Sequence, residues 1–416
     1  MLDWLLYALC SITTTPATAA PATGTSPAAE AAATISAAEA AATISAAEAA
    51  ATISAAEAAA TNVESLARSL RPLLPPQAFR TDPSRLALVL INLAILGLGW
   101  TMARTLDQWP LAALPLFLPF SLLMGNAVIV LLFATHDLLH GRALGGHGGR
   151  RWLALFSLAL LWMPPTLWRA VHNREHHGRT NSQRDPDRSY LEDQPASWGK
   201  WIQHRFTPSD EIGFIGLTLG LAFAWGVHNL RTLASVLLAP DGRAPFPPAA
   251  FRVSAADRRR IAWELLAIVG LHAAVIAWVG LDPRNLLLGY FLPIWLGYAG
   301  AMAYIFTNHL LAPLDENNDP LLNTLSLELP RWLDLLHLNF SHHTEHHIFP
   351  GLNTSYYPEV RRLLQQFHGD RFQLLSGREA WRLLLSTPRH YRGSSTVCSA
   401  DGRRAMELPR LSGGHR

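Results

Sequence analysis

Nine of the 18 histidines in this chain fall in three short runs. The first is His136-Asp137-Leu138-Leu139-His140. The second is His172-Asn173-Arg174-Glu175-His176-His177, and the third is His342-His343-Thr344-Glu345-His346-His347. On a helix, residues three and four apart are neighbours. His136 and His140 therefore share a face, as do His172 and His176, with His177 one step round. In the third run His343, His346 and His347 fit spacings of three and four. Each run can turn two or three imidazoles toward one point, which is what a metal site needs. One HxxxH pair in a helical protein is a weak sign, more often a pair of surface or core histidines. Three runs with helical spacing are a strong one.

The count bears on the metal. A zinc site is closed by four ligands, or by three and a water. Eight or nine imidazoles are too many for one ion and suit two ions with partly filled shells. Imidazole suits Zn, Cu, Fe and Ni alike, so ligand type does not choose among them. Two ions with open positions beside an apolar cavity suit oxygen chemistry on a lipid, and iron serves that purpose best.

The elements that must position these runs are membrane helices. Half of the 416 residues are apolar and only 16% are charged, against about 25% in soluble domains. Cys10 and Cys398 stand at opposite ends, which excludes a disulfide scaffold, a zinc ribbon and an iron–sulfur ferredoxin. A net charge of +3 with an apolar excess argues against a nucleic-acid binder. Leu86–Met102 and Leu111–Ala134 form one pair of apolar spans, and Ile261–Val279 and Leu286–Phe306 a second. Each pair has a very short link and reads as a hairpin through the bilayer. Trp152–Leu167 and Ile212–Leu238 are apolar enough to span by hydropathy alone. Topology argues otherwise. The three runs meet only if they lie on one side of the membrane, so neither segment crosses. The expected fold is an all-α integral membrane protein, with four transmembrane helices in two hairpins, interfacial helices and a cytoplasmic histidine-rich cap. Arginines such as Arg151, Arg169, Arg174 and Arg258–Arg260 cluster on the histidine side, which the positive-inside rule places in the cytoplasm.

The ends of the chain look different. Met1–Cys10 is too short to span and lacks the basic residues of a signal peptide. From Ala28 a nine-residue unit, AAEAAATIS, repeats and sets Glu30, Glu39, Glu48 and Glu57 in equivalent places. Nine residues advance a helix by roughly 900°, half a turn out of phase, so no apolar stripe forms. Residues 1–81 read as a low-complexity Ala-rich tail, 82–371 as the membrane domain, and 372–416 as a disordered Arg/Ser/Gly-rich C-terminal tail.

The pattern HxxxH, HxxxHH, HxxHH on this hydropathy frame resembles the membrane fatty acid desaturase/hydroxylase superfamily, and its bacterial desaturases most. The flanks carry the likeness further: His176-His177-Gly178-Arg179-Thr180-Asn181 with Asp185-Pro186-Asp187, and Glu345-His346-His347-Ile348-Phe349-Pro350 with Tyr357-Pro358-Glu359. The resemblance covers roughly residues 82–370. It implies metal ligands at His136, His140, His172, His176, His177, His343, His346 and His347. His309, near the end of the last span, fits the place where members often carry one more, and Asn308 beside it can hold a metal-bound water. His342 lies behind the ligands. The implied cofactors are two iron ions, with O2 as co-substrate. The implied substrate is an acyl lipid, acyl-CoA or acyl-ACP, and the electrons come from a ferredoxin or cytochrome b5-type donor. The implied location is a bacterial cytoplasmic membrane, with the boxes facing the cytoplasm. No GxGxxG or CxxC motif suggests an internal electron source.

Asp137, Glu175 and Glu345 are expected to orient imidazoles from behind, and Asp185 and Asp187 to cap a turn. His147, His204, His228, His368, His390 and His415 read as surface residues, and His272 and His337 as structural ones. Glu264, near the start of a span, reads as facing the interface. The same histidine pattern serves carotenoid ketolases and hydroxylases and lipid hydroxylases. A more distant reading is an intramembrane zinc metalloprotease using the HDLLH run in place of HExxH; it leaves the other two runs idle. A metal-binding or transport protein without catalysis is the remaining alternative.

Overall fold

The structure is a computed structural model and describes residues 62–80, 82–141, 148–187, 206–239, 251–309, 312–399 and 401–408. The nine-residue repeats, His147, His204 and His415 lie outside the described residues.

The helices follow the apolar segments. After a short helix, α1 (Val63–Leu70), come α2 (Ser84–Ala103) and α3 (Leu118–His140). Then follow α4 (Gly148–Ala159), α5 (Phe214–Leu238), α6 (Ala255–Val279) and α7 (Leu292–His309). Among the described residues, five segments are long and apolar enough to cross a membrane: Ser84–Gln108, Leu111–His140, Phe214–Leu238, Ala255–Val279 and Pro283–His309. Four of them match the two expected hairpins. The 12 residues of α4 reach only about 18 Å at 1.5 Å per residue, short of the roughly 30 Å hydrocarbon core. The chain turns after Ala159, before the Pro164-Pro165 pair. Trp162 sits there at φ 54°, and its ring stacks on His272 of α6 at 4.2 Å.

His272 ties these elements together. Its Nε2 lies 3.0 Å from the carbonyl of Ala159, which only accepts, so Nε2 donates. Its Nδ1 then accepts from the Tyr290 hydroxyl at 2.6 Å. That is a structural use, as expected. His337 is likewise held between Tyr304 Oη at 2.9 Å and Asn126 Oδ1 at 3.1 Å.

Helices α3 and α7 pack very closely. A Cβ at Gly297 would come within 2.5 Å of Val128, and one at Gly125 within 2.7 Å of Leu296. Small residues at such crossings let membrane helices approach. The contact brings the C-terminal ends of α3 and α7, with His140 and His309, to the same side.

The rest of the histidine side is built by β1 (Ser326–Glu328), α8 (His343–Ile348), α9 (Tyr357–His368), β2 (Leu374–Ser376) and α10 (Gly377–Leu384). Strands β3 (His390–Arg392), β4 (Thr396–Cys398) and β5 (Ala405–Glu407) follow. β1 and β2 pair in parallel, and β3–β4–β5 form an antiparallel sheet. By composition the segment after Phe372 reads as disordered; residues 374–399 and 401–408 are instead ordered. Tyr391, 1% exposed, anchors the sheet by donating to the Ala312 carbonyl.

The N-terminal boundary also moves. Leu66, Leu70, Leu74 and Ala78 are buried against Ile348, Phe349, Leu352 and Tyr357, so residues 62–80 belong to the folded body that supports α8. Asn62 caps α1 through the backbone N–H of Ser65, whose hydroxyl reaches back to the Asn62 N–H. The acidic partner of a capping box is replaced by serine, and this hid the helix start from pattern reading.

Candidate metal centre

All nine expected histidines converge, in two groups. His136, His140, His172, His177 and His346 form one; His176, His309, His343 and His347 form the other. Within each group the facing nitrogens lie within 4.8 Å of one another. The closest Nε2–Nε2 separations are 2.6 Å for His309 and His343, 2.9 Å for His136 and His172, and 3.1 Å both for His177 and His346 and for His343 and His347.

The partition differs from the expectation that each run points to one place. Only the first run stays together. Residues 169–176 are wound as a π-helix, and the His177 N–H reaches the His172 carbonyl at 3.1 Å, five residues back. That winding groups His172 with His177 rather than with His176. Extra residues per turn of this kind are frequent at functional sites. In α8, His343 and His347 share a face four residues apart, while His346 joins the other group.

Groups behind several of the rings set their tautomers. Thr180 donates its hydroxyl to the His176 carbonyl at 2.8 Å, so at 3.1 Å it accepts from His347 Nδ1. Asp185 accepts from His176 Nδ1 at 2.9 Å. The Tyr357 hydroxyl lies 3.0 Å from His346 Nδ1. Asp187 sits 3.6 Å from His172 Nδ1 and 3.1 Å from His228 Nε2. A proton held on Nδ1 leaves the Nε2 lone pair facing the centre, as metal-ligating histidines require. Burial, reinforced by neighbouring imidazoles, pushes His177, His343, His346 and His347 well below the ordinary imidazole range. Burial works against charge on His176 too, but Asp185 and Asp187 outweigh it and raise its pKa.

The acids therefore take other places than the sequence suggested. Asp185 and Asp187 stand behind imidazoles as well as in their turn, where Asp185 also accepts the Asn181 and Asp187 N–H groups. Asp137 accepts from Arg85 Nε at 3.0 Å, and Arg85 also reaches Thr354. Glu175 pairs with Arg174 and Arg179, and Glu345 with Arg361 and Ser326. These three acids, each paired with arginine, tie down the segments that carry the runs. His342 is the N-cap residue of α8, outside both groups. His228 is paired with Asp187, and His368 and His390 are buried rather than on the surface. Thr180 and Tyr357 carried no periodic signal, and their roles were invisible before the fold.

Two observations test the fit to metal ions. Neutral imidazole nitrogens at 2.6–3.2 Å can share at most one proton per pair, so a cluster of nine leaves lone pairs that a cation would satisfy. The Nε2 of His140 and the Oδ1 of Asn308, both acceptors, are buried without a hydrogen-bond partner, at a cost of about 1–3 kcal/mol each if left so. The donor set fits two ions with nitrogen ligands.

An apolar cavity of about 120 Å³ opens onto both groups. Leu132, Met163, Trp168, Met302 and Phe306 wall it, and His172, His176, His309 and His343 line its metal side. Its volume is close to the ~150 Å³ of a cavity that takes a benzene ring.

A membrane helix frame that gathers nine imidazoles beneath an apolar cavity defines a class, and the comparison agrees. The family model for fatty acid desaturases matches residues 108–374, and the chain belongs to that family. It is 24% identical over 312 residues to the sn-1 oleoyl-lipid 12-desaturase of Anabaena variabilis, which covers 69% of this chain and 78% of that one.

Proposed function

We propose that the chain is a membrane-bound di-iron desaturase that introduces a double bond into the acyl chain of a membrane lipid, using O2 and two electrons from a separate redox protein. The observation that carries this is an apolar cavity lined by imidazoles of both groups. His136, His140, His172, His177 and His346 would hold one iron, and His176, His309, His343 and His347 the other. Two irons held there would supply the activation of O2; O2 with the two electrons and two protons is the oxidant for removing two hydrogens from adjacent methylenes, and leaves as water. The protein's part is positioning. Leu132, Met302 and Phe306 confine a short stretch of chain, and the narrow walls exclude water. Asp185, Thr180 and Tyr357 hold the Nδ1 protons and so keep the ligating nitrogens aimed.

Four crossings suit this reading better than five. The second and third runs lie side by side, so an even number of crossings separates them; α6 and α7 supply two. Along α5, His228 meets Asp187 and Arg231 reaches the Pro186 carbonyl, while Asp210, just before the helix, pairs with Arg404. Both its approach and its second half thus touch the histidine side, as an interfacial helix would. Arg151, Arg174, Arg179 and Arg258–Arg260 on that side support a cytoplasmic orientation. A ferredoxin or cytochrome b5-type protein is the proposed electron donor. The relative's name favours an acyl lipid over acyl-CoA or acyl-ACP. Metal analysis of the purified full chain tests the assignment: two irons per chain are expected, and one zinc without iron would contradict it.

A further inference from the structure

A second cavity lies at the first turns of α6, apart from the histidines. It has a volume of about 540 Å³ and is walled by Arg151, Trp152 and Leu155 of α4 and by Arg259, Arg260 and Trp263 of α6. Three guanidinium groups and two indoles face one space. Glu264 is the single acid in its lining, and its oxygens are already occupied. They accept from Arg151 at 2.8 Å, from the Thr166 N–H at 2.9 Å and from the Thr166 hydroxyl at 2.8 Å. Among the described residues no carboxylate pairs with Arg259 or Arg260.

The surroundings say what kind of anion fits. Trp152 and Trp263 are 58% and 72% exposed, and tryptophan at such exposure marks the headgroup level of a membrane protein. Within the next two turns of α6, Leu266 and Val269 are exposed as well, as a lipid-facing helix side requires. A basic floor at headgroup depth, continued by an apolar helix face, matches a lipid with a charged head and two tails. The planar fork of arginine suits phosphate oxygens.

We propose that this cavity binds the phosphodiester headgroup of an anionic membrane lipid, with the phosphate against Arg259 and Arg260 and the tails along α6. The site is independent of which metal the histidines hold. It does touch the histidine cavity indirectly. Glu264 fixes Thr166, two residues before Trp168, which walls that cavity.

The test uses the purified full chain in detergent, melted with added phosphatidylglycerol, phosphatidylcholine or inorganic phosphate. Phosphatidylglycerol should raise the Tm by several degrees and the other two should not. The R259Q/R260Q variant should lose the rise while keeping the wild-type Tm in phosphatidylcholine. R258Q, on the same turn but outside the cavity lining, should keep it. An equal rise with phosphatidylcholine would overturn the proposal, as would equal loss in R258Q. A rise with inorganic phosphate alone would assign the site to a soluble phosphate and overturn the lipid. If the double variant does not fold, the wild-type melts decide: no phosphatidylglycerol-specific rise refutes the site.

Discussion

Asp185 accepts the Nδ1 proton of His176 at 2.9 Å across a nine-residue turn, and so sets which nitrogen His176 presents to the centre. Asp185→Asn keeps the shape but replaces the carboxylate. Loss of such a partner commonly costs about 10–100-fold in metal affinity or activity. Metal titration of the variant should show that loss in the group of four, with the group of five retained.

His346 and His347 are adjacent in sequence but belong to different groups. His346→Ala and His347→Ala should therefore each deplete a different metal, and the double variant both. Elemental analysis with an iron spectroscopy sensitive to the two environments would check this. Identical spectra from the two single variants would contradict the partition.

Eight of the nine histidines were legible because ligand spacing on helices is periodic, while His309 stands outside the runs and was implied only by the family resemblance; the hairpins were legible because apolar spans are. The partition of the second run was not, because it depends on the π winding of residues 169–176, which no spacing rule encodes; that of the third run depends on how α8 is set between the two groups. The partners of the acids were hidden for a related reason. Arg85 and Asp137 lie 52 positions apart, and Glu264 meets Thr166 from 98 positions away. Long-range pairing is a property of the packed fold. Leu66 and Leu70 escaped notice because an Ala-rich repeat precedes them and masks a short amphipathic helix.

Asp137 was expected to orient an imidazole; its partner is Arg85, and both side chains are nearly buried. Removing one member of such a pair typically costs about 3–5 kcal/mol. Asp137→Ala should lower the unfolding temperature of the metal-loaded protein while its iron content stays at the wild-type level. Iron loss without a drop in stability would restore the orienting role.

Ala224 of α5 borders the cavity that opens onto the histidines. Ala224→Phe would fill much of its volume. Conversion of long acyl chains should fall by about 100-fold, the scale of a misplacement near 1 Å, with bound metal unchanged. Unaltered turnover would mean that the substrate lies elsewhere.

The most direct check on the desaturase reading is the fatty acid profile of a host with simple lipids expressing the full chain. Gas chromatography of the total acyl chains should reveal a new unsaturated species that disappears with His176→Ala while membrane insertion is retained. An unchanged acyl profile from iron-loaded, folded protein, or altered pigments in a carotenoid-producing host, would contradict it.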